Sequence, residues 1–196
     1  MTKRLSLAIN LPSEIKAQLT DLVLKLYKAN KNKSIKWVAN ENFHLTLHFL
    51  GDVPEEKISD INQTLEPIVN NFPTLNFSLS SSINAFPDLN NPKVIFLEMK
   101  ELNDGKTIQL QREIGKSLSK MDFEIDYRPF KLHLTLGRVK FKTNIQIPRL
   151  GFAGRSRTNL QFPISNFHVN SIDLMESNLI PTGPIYTCLK QYKLIK

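Results

Sequence analysis

One tetrapeptide occurs twice in this sequence, and it carries the side chains best suited to chemistry. Residues 44–47 and 133–136 both read His-Leu-Thr-Leu, and the copies lie nearly half of the 196 residues apart. The chain has only 4 histidines, so half of them fall in this repeat. An imidazole with a pKa of about 6.5 acts as acid or base at neutral pH, and a facing pair supplies one of each. The repeat therefore indicates a duplicated acid–base site.

The spacing of His and Thr is that of a β-strand. Side chains alternate between the faces of a strand, so His44 projects with Thr46, and His133 with Thr135, while the leucines face the core. Threonine hydroxyls on such a face can donate hydrogen bonds to phosphoryl oxygens. The alternative is that these histidines are structural, with their hydrogen bonds formed inside a sheet. The duplication of the motif argues against this alternative. A zinc site usually takes three or four ligands, and no Asp, Glu or Cys shares these strand faces, so no metal is expected.

The elements predicted around the motifs follow an α+β order. Helical spacing predicts helices opening at Pro12, Pro54 and Asp104. Alternating apolar residues predict strands at 5–9, 37–38, 43–50, 75–79, 94–99, 132–139, 164–175 and 185–194. Because strand pairs alternate with single helices, the order favours an α+β fold with largely antiparallel sheet. No low-complexity linker divides residues 1–196, which are expected to form one domain.

Composition points to an anionic partner and a reducing compartment. The formal net charge of +8 favours partners such as nucleic acid, although charge alone also fits a solubility effect. Cys188 is the only cysteine, so the cytoplasm is the expected location, and its alternating neighbours predict a buried thiol. No apolar run approaches the roughly 20 residues of a membrane span. Residues 149–159, which include Arg149, Arg155 and Arg157, are expected to form a loop that guides an RNA backbone or is simply solvated.

Beyond the motifs, four segments resemble one known family in the right order. Residues 7–12, 41–51, 130–138 and 177–186 are similar to the opening strand, the two motif blocks and the closing segment of the two-histidine (2H) phosphoesterases. The resemblance is to their bacterial and archaeal branch, the RNA 2′,3′-cyclic phosphodiesterases first named 2′-5′ RNA ligases. Where this family usually has Arg-Pro before the second histidine, this chain has Lys131-Leu132, which keeps the charge but loses the bidentate fork of Arg.

The resemblance implies a fold, a reaction and a role for each motif residue. The fold would be bilobal, with two mainly antiparallel sheets flanked by helices, a central cleft, and one motif on each pseudo-symmetric lobe. The reaction would hydrolyse a terminal 2′,3′-cyclic phosphate of RNA, or of a nucleoside, to a 2′-phosphate without metal or cofactor. His44 would protonate the departing ribose oxygen and His133 would activate water. Thr46 and Thr135 would hold the phosphoryl oxygens, and Arg138 would neutralise the phosphate.

Strict alternation gives expectations for the residues that flank the motifs. It places Arg138 on the leucine face, so Arg138 needs a bend at Gly137 to reach the phosphate. It also places His48 on the face of His44, either touching the substrate or exposed at the rim, and it places Phe49 in the core. Lys131 is a possible substrate contact.

Several alternatives stay open. Within the same fold they are a 2′-5′ RNA ligase, or a phosphodiesterase for 2′-5′ oligoadenylates or small nucleotide cyclic phosphates. From a different class comes an RNA- or nucleotide-binding module without catalysis, against which the intact histidines and threonines argue. A monomer that does not bind membranes is the default expectation for the assembly.

Overall fold

A computed structural model describes residues 1–31, 34–147, 166–181 and 183–195. Within these residues the helices are α1 (Ser13–Ala29), α2 (Lys57–Val69) and α3 (Lys106–Ser119), with a short 3-10 helix at Asn40–Asn42. The strands are β1 (Thr2–Asn10), β2 (Ile35–Trp37), β3 (His44–Pro54), β4 (Leu75–Phe86), β5 (Val94–Glu101), β6 (His133–Val139), β7 (Asn166–Val169), β8 (Ser171–Ile180) and β9 (Gly183–Lys193).

Helix α1 shows how the sequence sets the limits of an element. Pro12 lies just before its first residue, where a missing N–H costs nothing, and its carbonyl accepts the first helical hydrogen bond, from Lys16 at 3.0 Å. At the other end, the Asn30 backbone and side-chain amides both donate to the Leu26 carbonyl, at 3.0 and 2.8 Å. Asn30 Nδ2 also donates to the Gln146 carbonyl at 2.7 Å. The end of α1 is thereby fixed to the segment that follows β6.

Antiparallel pairing joins the strands into two sheets. The first sheet has the order β3-β1-β8-β9, and the second has the order β2-β6-β5-β4-β7. β3 begins at His44 and forms an edge of the first sheet, whereas β6 begins at His133 and lies inside the second. β3 and β6 contact each other, so the fold brings the motif strands together although they belong to different sheets. The predicted α+β class with two antiparallel sheets is confirmed, and the pseudo-symmetry of the two lobes stays a prediction.

One apolar core supports both sheets. Buried side chains from both sheets and from all three helices form a single connected cluster. Helices α2 and α3 pack against each other, both contact β3, and α2 also contacts β9. The Tyr192 hydroxyl donates to Asn62 Oδ1 at 2.6 Å, which fastens β9 to α2. No helix in the part of the chain that the structure describes is long and apolar enough to cross a membrane.

The single closing strand predicted at 164–175 is wrong in one respect. Its described part divides at Asn170 into β7, which pairs with β4 in the second sheet, and β8, which pairs with β1 in the first. Asn170 remains at the crossing, where its carbonyl accepts a hydrogen bond from the Leu194 N–H at 2.9 Å. The apolar alternation shifts phase at this point, from Phe167 and Val169 to Ile172 and Leu174, but periodicity does not report that the chain changes sheets.

The expectation of a buried thiol at Cys188 is also wrong, because the residue is exposed. The pairing of β8 with β9 shifts between Leu174 and Met175, which leaves Leu189 without a residue opposite it. Leu189 packs against the core, and Cys188 beside it faces outwards. An inserted residue of this kind breaks the alternation on which the expectation rested.

Candidate active site

Each motif strand contains a β-bulge at the second leucine of its motif. In the pairing of β1 with β3 the register skips Leu47, and in the pairing of β5 with β6 it skips Leu136. A bulge points two successive side chains to the same side, so the alternation of faces restarts one residue later. The two copies of the motif therefore share a backbone irregularity as well as four identical residues.

The first bulge reverses the predicted faces of the two residues that follow it. His48 is only 5% exposed, whereas Phe49 is 66% exposed. The expectation that His48 shares the face of His44 is wrong, and so is the expectation that Phe49 packs in the core. Strict alternation holds only where every residue of β3 pairs with one of β1, and Leu47 has no such partner.

The second bulge brings Arg138 to the histidine face. Arg138 is the second residue after the bulge at Leu136, just as Phe49 is the second residue after the bulge at Leu47. Both side chains are exposed. The bend that Arg138 needs is present, but at Leu136 rather than at Gly137. Gly137 has a different role, because a Cβ there would lie only 2.9 Å from Cε3 of Trp37. The absence of a side chain lets β2 approach β6 closely.

His48 fastens the motif strand to a helix on the core side. Its Nε2–H donates to the Gln111 carbonyl of α3 at 2.7 Å. Its Cε1 lies 3.0 Å from the position that a Cβ on Gly115 would take, so the ring packs closely against α3 at a residue without a side chain. Burial lowers the pKa of His48 below 6.5 and so favours the neutral ring. A buried ring whose Nε2 is already bonded to the backbone is not a candidate for substrate contact.

The two motif histidines are held in the same way. His44 Nδ1–H donates to the Asn42 carbonyl, and His133 Nδ1–H donates to the Lys131 carbonyl, both at 2.8 Å. A carbonyl can only accept, so Nδ1 carries the hydrogen and Nε2 of the neutral ring keeps a free lone pair. Each ring is thereby preset to exchange a proton at Nε2.

Aromatic side chains hold both rings in place. Tyr186 of β9 packs edge-on against His44 with ring centroids 4.8 Å apart. Phe86 and Phe96 pack edge-on against His133 at 5.1 and 5.3 Å, and they stack on each other at 4.3 Å. Tyr186 lies in the family-like closing segment, whereas no sequence pattern indicated that Phe86, from β4, would reach His133.

Asn42 gives His44 a second connection to β9. While its carbonyl accepts from the His44 ring, its side-chain Nδ2 donates to the Pro184 carbonyl at 3.0 Å. Strand β9 therefore supports His44 directly through Tyr186 and indirectly through Asn42. The orientation of the first histidine depends on a strand that lies far away in the sequence.

The charge of Arg138 influences the pKa values of both motif histidines. Burial is the largest influence on the pKa values of His44 and His133 and lowers both below 6.5, while their backbone hydrogen bonds oppose it. The charge of Arg138 lowers the pKa of both rings further. Lys16 adds to this effect at His44, and Lys131 adds to it at His133. One guanidinium lies close enough to act on both imidazoles.

The remaining predicted ligands lie beside the histidines. Thr46 and Thr135 are half-buried, and within the described residues neither hydroxyl has a hydrogen-bond partner. Both are therefore free to donate to an anionic oxygen. Lys131 places its Nζ 5.7 Å from the centroid of the Phe86 ring, and this cation–π contact keeps the ammonium near His133.

The fourth histidine lies away from this site. His168 is exposed on the edge strand β7. Arg149, Arg155 and Arg157 lie outside the described residues. Within the ranges that the structure covers, no group of three or more His, Cys, Asp or Glu side chains is arranged to hold a metal ion.

The fold and the duplicated motif agree with a match to a known family. A family model described as LigT like phosphoesterase matches residues 9–96 and 101–186 of the chain. The chain belongs to the LigT-like phosphoesterase family. This confirms the resemblance to the two-histidine phosphoesterases that the motifs and their flanking segments indicated.

Named relatives and solved structures match over nearly the full length. The RNA 2′,3′-cyclic phosphodiesterase of Thermotoga maritima is 32% identical over 186 residues, which cover 95% of this chain and 92% of the relative. The protein of the same name from Methanocaldococcus jannaschii is 32% identical over 192 residues, with coverages of 96% and 99%. The structure of E. coli LigT complexed with 3′-AMP superposes with a TM-score of 0.78 at 26% identity and covers 100% of both chains.

Proposed function

We propose that this chain is an RNA 2′,3′-cyclic phosphodiesterase that hydrolyses the cyclic phosphate to a 2′-phosphate with two histidines and no metal. The identical hydrogen bonding of His44 and His133 supports the proposal, because it leaves Nε2 of each ring available on two motif strands that contact each other. Relatives about one third identical over nearly the whole chain bear the name of this activity. The proposal includes a monomer in the cytoplasm, in line with a single cysteine.

The proton transfers follow from the two ring positions. A water molecule attacks phosphorus in line with the 3′ oxygen, and Nε2 of His133 takes its proton as the new P–O bond forms. The bond from phosphorus to the 3′ oxygen breaks, and His44, protonated at Nε2, gives its proton to that oxygen. The phosphate remains on the 2′ oxygen. Proton exchange with solvent then restores the starting state of both rings.

The groups around the histidines fit the charge that develops on phosphorus. Thr46 and Thr135 donate from opposite motif strands to the non-bridging oxygens, whose charge grows in the transition state. Arg138 neutralises the same oxygens from a position close to both rings. Lys131 adds a second cation on the side of His133. Phe49, exposed on the histidine face, offers a nucleobase an apolar surface.

The test is turnover of a nucleoside 2′,3′-cyclic phosphate in excess chelator, with the product identified. We expect the 2′-phosphate to form at an undiminished rate, and His44→Ala and His133→Ala each to lose most of it. His168→Ala is the matched control, because this histidine is exposed on an edge strand away from the site. Full loss of activity in chelator, restored by one divalent ion, would refute the mechanism. Joining of RNA ends without hydrolysis would instead assign the site to a ligase.

A modified substrate separates the acid from the base. A cyclic phosphate with sulfur in place of the 3′ oxygen has a leaving group that needs no proton, so it should rescue His44→Ala much more than His133→Ala. Equal rescue of both variants would leave the site intact but contradict the assignment of roles.

A further inference from the structure

A polar cluster outside the duplicated motif lies beside His44. Asn10 is directly opposite His44 in the pairing of β1 with β3, so the two side chains share a face. Lys16 Nζ, from the first turns of α1, is 3.4 Å from Asn10 Oδ1 and 3.3 Å from the Glu41 carbonyl. Asn10 Nδ2 in turn donates to Asp173 Oδ2 at 2.6 Å. The cluster holds one ammonium at the edge of the proposed site.

The charge of Lys16 is positioned by this cluster but is not paired within it. Both acceptors of its Nζ are neutral oxygens, and no carboxylate among the described residues forms a salt bridge with it. Asp173 is 2% exposed, and its two oxygens accept hydrogen bonds from the side chains of Asn10 and Gln191. Burial lowers the pKa of Lys16, and the charges of Asp173 and Glu41 oppose this shift without forming a salt bridge to the ammonium. An anionic ligand in direct contact would therefore stabilise the charge further.

The position of Lys16 relative to the two histidines decides which anion it meets. Arg138 acts electrostatically on both rings, Lys131 acts on His133, and Lys16 acts on His44. Lys16 also contacts Asn10, which lies opposite His44 in the strand pairing, so Lys16 lies on the side of the leaving 3′ oxygen and away from the side where water attacks. The ribose remains bonded to that oxygen, so it occupies this side too. The next anionic group along the RNA strand is the phosphodiester on the 5′ oxygen of the same ribose.

We propose that Lys16, held by Asn10 and the Glu41 carbonyl, binds the phosphodiester on the 5′ side of the terminal nucleotide. The inference rests on the proposed function and adds to it a subsite for the adjoining phosphodiester. The site then recognises the end of an RNA chain and not only a nucleoside cyclic phosphate. Asp173 acts through Asn10 as a positioning residue for this subsite.

Three substrates with the same terminal base test the inference. They are the nucleoside 2′,3′-cyclic phosphate, its 5′-phosphorylated form, and a dinucleotide ending in the cyclic phosphate. Wild type should favour the second and third over the first in kcat/KM. Lys16→Met should reduce that advantage by about fivefold to tenfold, the scale of one partly exposed charged contact, and Lys16→Arg should keep it. For the dinucleotide, the slope of log kcat/KM against log salt should become shallower by about 0.7.

The matched control is Lys25→Met, which removes the same charge from an exposed position on the same helix. It should leave both the substrate ratio and the salt slope as in wild type. If Lys16→Met lowers kcat/KM equally for all three substrates, the ratios between the substrates do not change. The subsite is then refuted while the proposed function stands. If wild type turns over none of the three, the proposed function itself fails.

Discussion

Gly137→Ala tests how the close approach of β2 to β6 positions Arg138. The added Cβ would lie 2.9 Å from Trp37 Cε3, 3.1 Å from Ile35 Cγ2 and 3.3 Å from Trp37 Cζ3. The first of these contacts is shorter than real Cβ atoms make, and the indole ring cannot swing away as the end of a flexible chain can. We expect β2 to be displaced from β6, and Arg138 to move with its own strand.

The expected magnitude follows from two opposing effects. Overpacking of this kind lowers the free energy of unfolding by about 2 kcal/mol. Replacing glycine by alanine raises it by about 0.5 kcal/mol, because the unfolded chain then has fewer conformations. The net loss of about 1.5 kcal/mol corresponds to a fall in Tm of roughly 3–6 °C for a chain of this size. A misplaced Arg138 should in addition lower kcat/KM on a cyclic phosphate by on the order of tenfold to a hundredfold.

Thermal unfolding and steady-state kinetics of two glycine variants separate stability from positioning. Gly51 has φ of 72° and no neighbouring atom within 4 Å of an added Cβ, so Gly51→Ala strains the backbone without touching β2 or β6. It should lower Tm and leave kcat/KM unchanged. If Gly137→Ala behaves like Gly51→Ala, the position of Arg138 does not depend on this contact. If Gly137→Ala has the Tm and the kcat/KM of wild type, the close contact between Gly137 and Trp37 is unimportant.

Three further outcomes are expected. Because burial lowers the pKa of both His44 and His133, a bell-shaped profile of kcat/KM should peak below pH 6.5, and a maximum above pH 8 would contradict the acid–base pair. Thr46→Val and Thr135→Val should each reduce kcat on the order of 10- to 1000-fold, and wild-type rates would exclude the hydroxyls as phosphate ligands. The depressed pKa of His48 means that the unfolded chain binds its proton first as pH falls below 6.5, so the free energy of unfolding should decrease there. This decrease, followed by denaturant unfolding, should be smaller in His48→Gln, and an unchanged pH dependence would show that the buried imidazole is not its source.

The sequence by itself determined the chemistry-bearing residues and the class of fold. A histidine and a threonine two residues apart, repeated once, require no tertiary information to suggest an acid–base pair with hydroxyl donors. Helical and alternating periodicities likewise placed α1, α2 and α3 and most strands, because these patterns reflect which face of each element is buried. The motif strands were found for the same reason.

Only the tertiary structure decided which neighbours complete the site. Whether Leu47 and Leu136 pair with a residue on the adjacent strand depends on that strand, so the bulges that bury His48 and expose Arg138 leave no mark in the local sequence. The contacts of Tyr186 with His44 and of Phe86 with His133 join strands that are distant in the chain, and periodicity reports burial but not the partner.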